Sequence, residues 1–314
     1  MPMPPAALPP SVNYLYYLQG KTMNAQLLMD GHHELGEGVL WCDRSQSVFW
    51  TDIHASRLWN HDPQTGLTRS WGMPERLCCY AFTADPQQLL IGLESRLAFF
   101  NLSTGTIAPI CRIEDDLPST RLNDGRCDRQ GRFVFGTLNE DPGRAPIASF
   151  YRLNTDLTLE RLSLPSIAIS NSICFSLDGK LMYHCDSMAG KVMVCDYDTA
   201  SGAVSGQRVF ADVAQPGGPD GSTIDAEGYL WNAQWGGARV VRYAPDGRID
   251  RVVAIPTSQP SCVAFGGAQF DTLYVTTAHE GMSAEQRAAD PQAGALFAVA
   301  LADVRGLPEV RFAG

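Results

Sequence analysis

The chain reads as an all-β protein, a six-bladed β-propeller with four antiparallel strands per blade. Three observations carry that expectation: an internal repeat of suitable length, β-like runs punctuated by Gly/Asp/Pro turns, and a near absence of helical periodicity. The repeat is cleanest at 218–247, G-P-D-G-S-T-I-D-A-E-G-Y-L-W-N-A-Q-W-G-G-A-R-V-V-R-Y-A-P-D-G. Its turns, Pro219-Asp220-Gly221, Asp225-Ala226-Glu227-Gly228 and Pro245-Asp246-Gly247, alternate with aromatic and β-branched runs. A meander of antiparallel strands has this pattern.

Five further copies follow the same plan. The leading run of each begins near Val48, Leu89, Phe133, Leu181, Tyr229 and Thr272, at steps of about 41 to 48 residues, the period of a four-stranded blade. A second β-like run follows each, such as Arg57-Leu-Trp-Asn-His61 or Arg239-Val-Val-Arg-Tyr243, and most close on a turn like Asp62-Pro-Gln-Thr-Gly66. Units that cannot bury both faces alone stack radially into one closed domain. Only Ser283 to Ala289 suggests a short helical turn, within a loop.

Composition narrows the function classes. At 314 residues the chain exceeds a usual single core, which a repeat array accommodates. A formal net charge of -10 and a pI near 5.0 argue against nucleic acid and against anionic membrane as partners. No apolar run approaches the roughly 18 residues of a membrane helix. The nine cysteines contain no C-x-x-C pair, and Cys174, Cys195 and Cys262 fall in apolar runs. They read as buried free thiols in a reducing compartment, and Cys78-Cys79 as strand residues. Residues 1–30 are proline-rich, then aromatic, without a basic n-region or small-residue cleavage site. They are expected to be a flexible extension, with Met23 an alternative start, ahead of a propeller at 31–314 in the cytoplasm.

The copies differ at one repeat position. Gly131, Gly179 and Gly228 occupy equivalent second turns, and eight residues before them stand Asn123, Asn171 and Asp220. In the first copy Glu37, in Leu35-Gly36-Glu37-Gly38, leads the same strand; the second and sixth offer Cys78-Cys79 and Ser261-Cys262. First strands of propeller blades line the central axis, so these side chains converge at one end of the channel. Asn and Asp also close Asx turns, and each residue alone fits that role equally well. Four oxygen-bearing side chains at one position are harder to explain that way. Two carboxylates near a low-dielectric axis repel unless a cation or proton compensates. Oxygen-only ligation suits Ca²⁺, Mg²⁺ or Mn²⁺, with Zn²⁺ or Fe²⁺ open, and three or four protein ligands leave positions for water and substrate.

These residues carry a family likeness. L-G-E-G-V-L-W at 35–41, R-L-N-D-G-R-C-D at 121–128, I-S-N-S at 169–172 and P-D-G at 219–221 resemble the senescence marker protein 30/regucalcin/gluconolactonase family from about residue 30 to the C-terminus. M-P-E-R-L at 73–77, 121–138 and W-N-A-Q-W-G at 231–236 are similar to its bacterial L-arabinolactonases. The resemblance implies that Glu37, Asn171 and Asp220 bind one divalent metal ion and that Arg121 and Asn123 hold the substrate. Val39 stands where the family usually has proline, and Ser172 where it usually has glycine; neither removes a ligand. The implied reaction is hydrolysis of a sugar lactone to the aldonate, most of all L-arabinono-1,4-lactone or a related pentono- or hexonolactone. Asp220 is then the general base, beside the ion that polarises the carbonyl. A non-catalytic calcium-binding propeller, and a metal-dependent hydrolase of other esters, are the alternatives.

Other positions are less specific. Glu140 could contact sugar hydroxyls or be an ordinary loop acid, and Arg121 could serve a plain salt bridge. Asp186 could order its turn or position substrate. Trp235 and His54 follow leading strands, where they either face the pocket or pack within blades. His184, inside an apolar run, reads as a core histidine with its hydrogen bonds satisfied.

Overall fold

A computed structural model describes residues 25–314. After β1 (Gln26–Met29), five four-stranded sheets follow the chain without interruption. The first holds β2 (Gly36–Cys42), β3 (Ser47–Asp52), β4 (Arg57–His61) and β5 (Thr68–Gly72). The second holds β6 (Leu77–Phe82), β7 (Gln88–Leu93), β8 (Arg96–Asn101) and β9 (Ile107–Arg112). The third holds β10 (Thr120–Cys127), β11 (Phe133–Asn139), β12 (Phe150–Leu153) and β13 (Leu159–Arg161). The fourth holds β14 (Ser170–Phe175), β15 (Leu181–Asp186), β16 (Lys191–Tyr197) and β17 (Val204–Asp212). The fifth holds β18 (Gly218–Ile224), β19 (Leu230–Trp235), β20 (Arg239–Tyr243) and β21 (Ile249–Ala254).

The sixth sheet closes the ring. β22 (Pro260–Gly266), β23 (Thr272–Thr277) and β24 (Leu296–Ala300) come from the end of the chain, and β1 supplies the outer strand beside β24. Gln26 pairs with Ala298 and Leu27 with Phe297, antiparallel. The boundary expected at residue 30 is therefore corrected, because Gln26–Met29 covers the edge that β24 would otherwise expose. The remainder of the expected extension, 1–24, lies outside the described residues. Every sheet is antiparallel, as the meander pattern predicts. Among the described residues no helix is long and apolar enough to cross a membrane.

Burial rises from rim to axis. Inner strands β6, β14 and β22 are buried at every residue, whereas outer strands β5 and β13 are largely exposed. Both faces of an inner strand are covered by the neighbouring blades, so it reads as a continuous apolar or small-residue run. Inner strands touch in sequence around the axis, β2 to β6, β10, β14, β18, β22 and back to β2. The glycines that align the copies, Gly131, Gly179 and Gly228, have φ of 82°, 71° and 83°, a turn conformation in which a side chain is strained. The short helix expected near Ser283 is α1 (Ala284–Ala289), with a capping box between Ser283 and Gln286.

The C-terminal segment crosses the channel end remote from Glu37 and Asp220. Phe312 N donates to Phe82 O at 2.8 Å, Ala313 N to Gly131 O at 2.9 Å, and Glu309 accepts from Arg126 of β10 at 2.7 Å. Blades 2 and 3 are thereby strapped together beneath the axis.

His184 is in the core as expected, but its hydrogen bonding is not satisfied. It is 2% exposed, lies edge-on to Phe150 at 4.9 Å, and neither ring nitrogen has a partner among the described residues. Burial pushes its pKa down from 6.5 to about 4. The unfolded chain thus takes up a proton near pH 6.5 that the folded chain refuses until about pH 4. Stability from this site is complete above pH 6.5 and is lost as the pH falls towards 4, about 2 kcal/mol of it by pH 5. We expect His184→Leu to lose distinctly less melting temperature than the parent between pH 7.5 and pH 5. Equal losses in the two proteins would exclude His184 as a source of acid sensitivity.

Candidate active site

One structural device recurs in every blade and builds the site. The ladder between the first and second strand shifts register at Glu37/Leu40, Leu77/Cys79, Leu122/Gly125, Asn171/Cys174, Pro219/Ser222 and Pro260/Cys262. A bulge breaks the alternation of side chains and re-aims them. Asn123 and Asp220 lie within such breaks, and Glu37 and Asn171 sit at their edges. Eight-residue spacing to the turn glycine thus translates into a common height on the axis.

Glu37, Asn123, Asn171 and Asp220 are brought together. Asn123 donates from Nδ2 to Asn171 Oδ1 at 3.2 Å and to Ser170 O at 2.7 Å, tying blade 3 to blade 4. Asn171 Nδ2 donates to Ser187 Oγ at 2.9 Å, which turns its Oδ1 towards Asn123. The Glu37 and Asp220 carboxyl groups are close enough to act on each other electrostatically. Asp220 is 5% exposed and its Oδ1 has no partner among the described residues; Glu37 Oε2 accepts from Gly38 N at 2.9 Å. Glu37 keeps some solvent access along the channel, yet dense surroundings push its carboxyl up to about 8. Burial, then repulsion from Glu37, raises Asp220 well above the usual carboxylate range.

The carboxylates and amides present an oxygen-only donor set. Among the described residues no three His, Cys, Asp or Glu side chains cluster as a metal site would. An unpartnered buried carboxylate oxygen facing a second carboxyl group is a configuration that a hard cation would relieve.

Arg121 stands beside this group, 4% exposed, donating from Nη1 to Asn123 Oδ1 at 2.9 Å and from Nε to Glu140 Oε1 at 3.3 Å. Its salt bridge with Glu140 is real, but it runs along the rim and leaves Arg121 next to Asn123. Glu140 also accepts both Arg76 Nη atoms, at 2.7 and 2.6 Å, and the Arg76 guanidinium, then Arg121, pulls its carboxyl down to about 2. Cys78, in reach of Arg121, is a buried thiol pushed up to about 11 by burial.

A family model described as SMP-30/Gluconolactonase/LRE-like region matches residues 35–279. This chain belongs to that family. It is 52% identical over 293 residues to an L-arabinolactonase of Azospirillum brasilense, covering 92% of this chain and 96% of the relative. It is 30% identical over 288 residues to a regucalcin of Xenopus laevis, covering 90% and 96%. Among solved structures, a calcium-binding protein, regucalcin, from Agrobacterium tumefaciens superposes with a TM-score of 0.87 at 31% identity, covering 93% of this chain and 98% of that one.

Around this candidate site the remaining expected residues take definite places. Asp186 accepts from Ala168 N, Ile169 N and Met188 N at 2.9–3.1 Å, so it orders its turn. Trp235 is half-buried against the apolar cluster that includes Leu35, Ile53 and Ala278. His54 reaches the rim, where its Nε2 meets Glu280 Oε1 of the sixth blade at 2.7 Å. Three contributors escaped the sequence reading. Asp124, next to Asn123 in the same bulge, is raised by burial and accepts from Ile173 N at 2.9 Å. Arg76 grips Glu94 and Glu140 together, and Glu280 bears electrostatically on Asp220. Asp124 lies inside the R-L-N-D-G run and was findable; Arg76 and Glu280 carry no local signal.

Proposed function

We propose that this chain hydrolyses a sugar lactone to the open aldonic acid, with L-arabinono-1,4-lactone the first candidate among pentono- and hexonolactones. The observation that carries the reading is the facing Glu37–Asp220 pair, with an unpartnered Asp220 oxygen, beside Arg121 and Asn123. Glu37, Asn171 and Asp220 are the residues we assign to one divalent cation. Calcium, magnesium or manganese suits their oxygens, and zinc or iron(II) is compatible. Bound there, such a cation would offset the repulsion between the carboxylates, polarise the lactone carbonyl and acidify a water.

The chain's own groups supply the rest. Arg121 and Asn123 orient the lactone through its carbonyl and ring hydroxyls, the guanidinium offering a planar fork. Glu140, held ionised by Arg76, accepts from a sugar hydroxyl at the rim. Asp220 takes the proton of the water as its oxygen bonds to the carbonyl carbon. The same proton then passes to the ring oxygen as the ester C–O bond breaks, leaving acid and alcohol in one open chain. We place the enzyme in the cytoplasm, where its nine unpaired cysteines are stable.

A panel assay tests this. Proton release is followed with 1,4- and 1,5-lactones of five- and six-carbon sugars, an aryl ester and a phosphotriester, each with calcium, magnesium, manganese, zinc or iron(II). Turnover of a pentono-1,4-lactone well above every non-lactone ester is expected. Calcium binding without turnover of any lactone would leave the non-catalytic reading in its place.

A further inference from the structure

The bulge that turns Asp220 into the channel also removes its main chain from the sheet. Pro219 pairs with Gln234 and Ser222 with Asn232, so Asp220 and Gly221 stand between ladder positions. A buried carbonyl freed in this way needs donors from elsewhere. Two side chains supply them: Ser172 Oγ donates to Asp220 O at 2.6 Å, and Asn232 Nδ2 donates to the same oxygen at 3.0 Å. The Ser222 hydroxyl donates to Ser172 Oγ at 3.1 Å and accepts from Asn232 Nδ2 at 3.0 Å. All three side chains are 2% exposed or less.

Ser172 is unusual in its own backbone. Its φ is 62°, the left-handed region in which a Cβ is strained and glycine is at ease. A glycine would release the strain and forfeit the hydroxyl that crosses from blade 4 to the Asp220 carbonyl in blade 5. The adjacent carbonyl is held from the same blade, with Ser187 Oγ donating to Pro219 O at 2.8 Å while accepting from Asn171 Nδ2 at 2.9 Å. Blade 4 therefore grips both carbonyls that flank the turn of the chain into Asp220, and one of those grips also orients Asn171.

We propose that Ser172, seconded by Ser187, is a positioning residue that fixes the Asp220 carboxylate against Glu37 through the main chain of blade 5. This inference rests on the assignment of Asp220 to the cation and to proton transfer. Outer-layer hydrogen bonds of this kind commonly change metal affinity or activity by about 10- to 100-fold.

The test uses Ser172→Gly, which folds without the strained Cβ, and Ser172→Ala, which keeps the strain and loses the hydroxyl. Calcium chloride and manganese chloride titrated by calorimetry report affinity independently of turnover. Both variants are expected to raise the cation Kd about 10-fold or more and to lower kcat by about 10- to 100-fold. KM should stay within about threefold, because Arg121 and Asn123 are untouched, and the glycine variant should melt no lower than the alanine variant. Ser187→Ala should raise the Kd as well, by freeing the Asn171 amide. Lowered melting temperatures with parental Kd and kcat would reduce Ser172 to a scaffold role and overturn the proposal. A parent that binds neither cation would defeat the site assignment itself, a different outcome from a parent that binds while the variants match it.

Discussion

Replacing Asp220 with asparagine is expected to cost about 10³-fold or more in lactone turnover while, in ion-free buffer, the fold keeps its melting temperature or gains a few degrees. The rate follows from removing a proton acceptor, which alone is worth about 10²- to 10⁴-fold, together with one charge of the cation site. The stability follows from opposite physics. Asp220 is a buried carboxyl group in the field of Glu37, with an oxygen that nothing among the described residues satisfies. An amide of the same shape removes the repulsion and needs no charge in a low-dielectric place. Asp220→Ala should be equally inactive but without the gain, since it leaves a small void. Glu37→Gln provides the contrast, because Glu37 has no proportionate role in proton transfer. Its activity should recover in part at high divalent-ion concentration, and that of the asparagine variant should not. Steady-state proton release and melting curves read both effects. Turnover by Asp220→Asn at the parent rate would remove Asp220 from the mechanism.

The contrast between those two acids shows what a sequence can convey about such a site. The common height on the axis is legible because each blade repeats one turn: Gly131, Gly179 and Gly228 fix the register for Asn123, Asn171 and Asp220 eight positions upstream, and Glu37 leads the same strand of the first copy. That count carries no geometry. The bulges that swing the side chains inward appear only once first and second strands are paired, and so Asp124 reads as an ordinary neighbour of its motif and Ser172 only as a replacement for the usual glycine. Long-range contacts were less accessible still. His54 and Glu280 are 226 residues apart and meet because the first and sixth blades adjoin. Gln26–Met29 shows no turn or alternation marking it as a strand; its partner Leu296–Ala300 exists only after ring closure. His184 was correctly placed in the core from its apolar run, but a run of residue types says nothing about partners for ring nitrogens. Local pattern thus specified the blade, while pairing between distant segments specified the rim.

Removal of divalent ions is expected to abolish turnover, to lower the melting temperature by several degrees, and to be reversed by adding one ion back. A cation bound at 100 times its Kd stabilises the folded state by about 2.7 kcal/mol, and a protein of this size shifts by about 2 to 4 °C per kcal/mol. The direction is set by the site, since without a cation Glu37 and Asp220 face each other with only protons to moderate their repulsion. The decisive comparison pairs this treatment with the asparagine variant. If the carboxylate acts with the cation, the two losses overlap: a chelator should add little to the defect of Asp220→Asn, and the variant's melting temperature should respond weakly to added ion. Losses that multiplied would mean two independent contributions, with the ion bound elsewhere than at Asp220. Full activity in chelator-stripped parent would leave Asp220, Arg121 and Asn123 to perform the hydrolysis alone, and the oxygen-lined end of the channel would then have to be explained by proton sharing between its two acids.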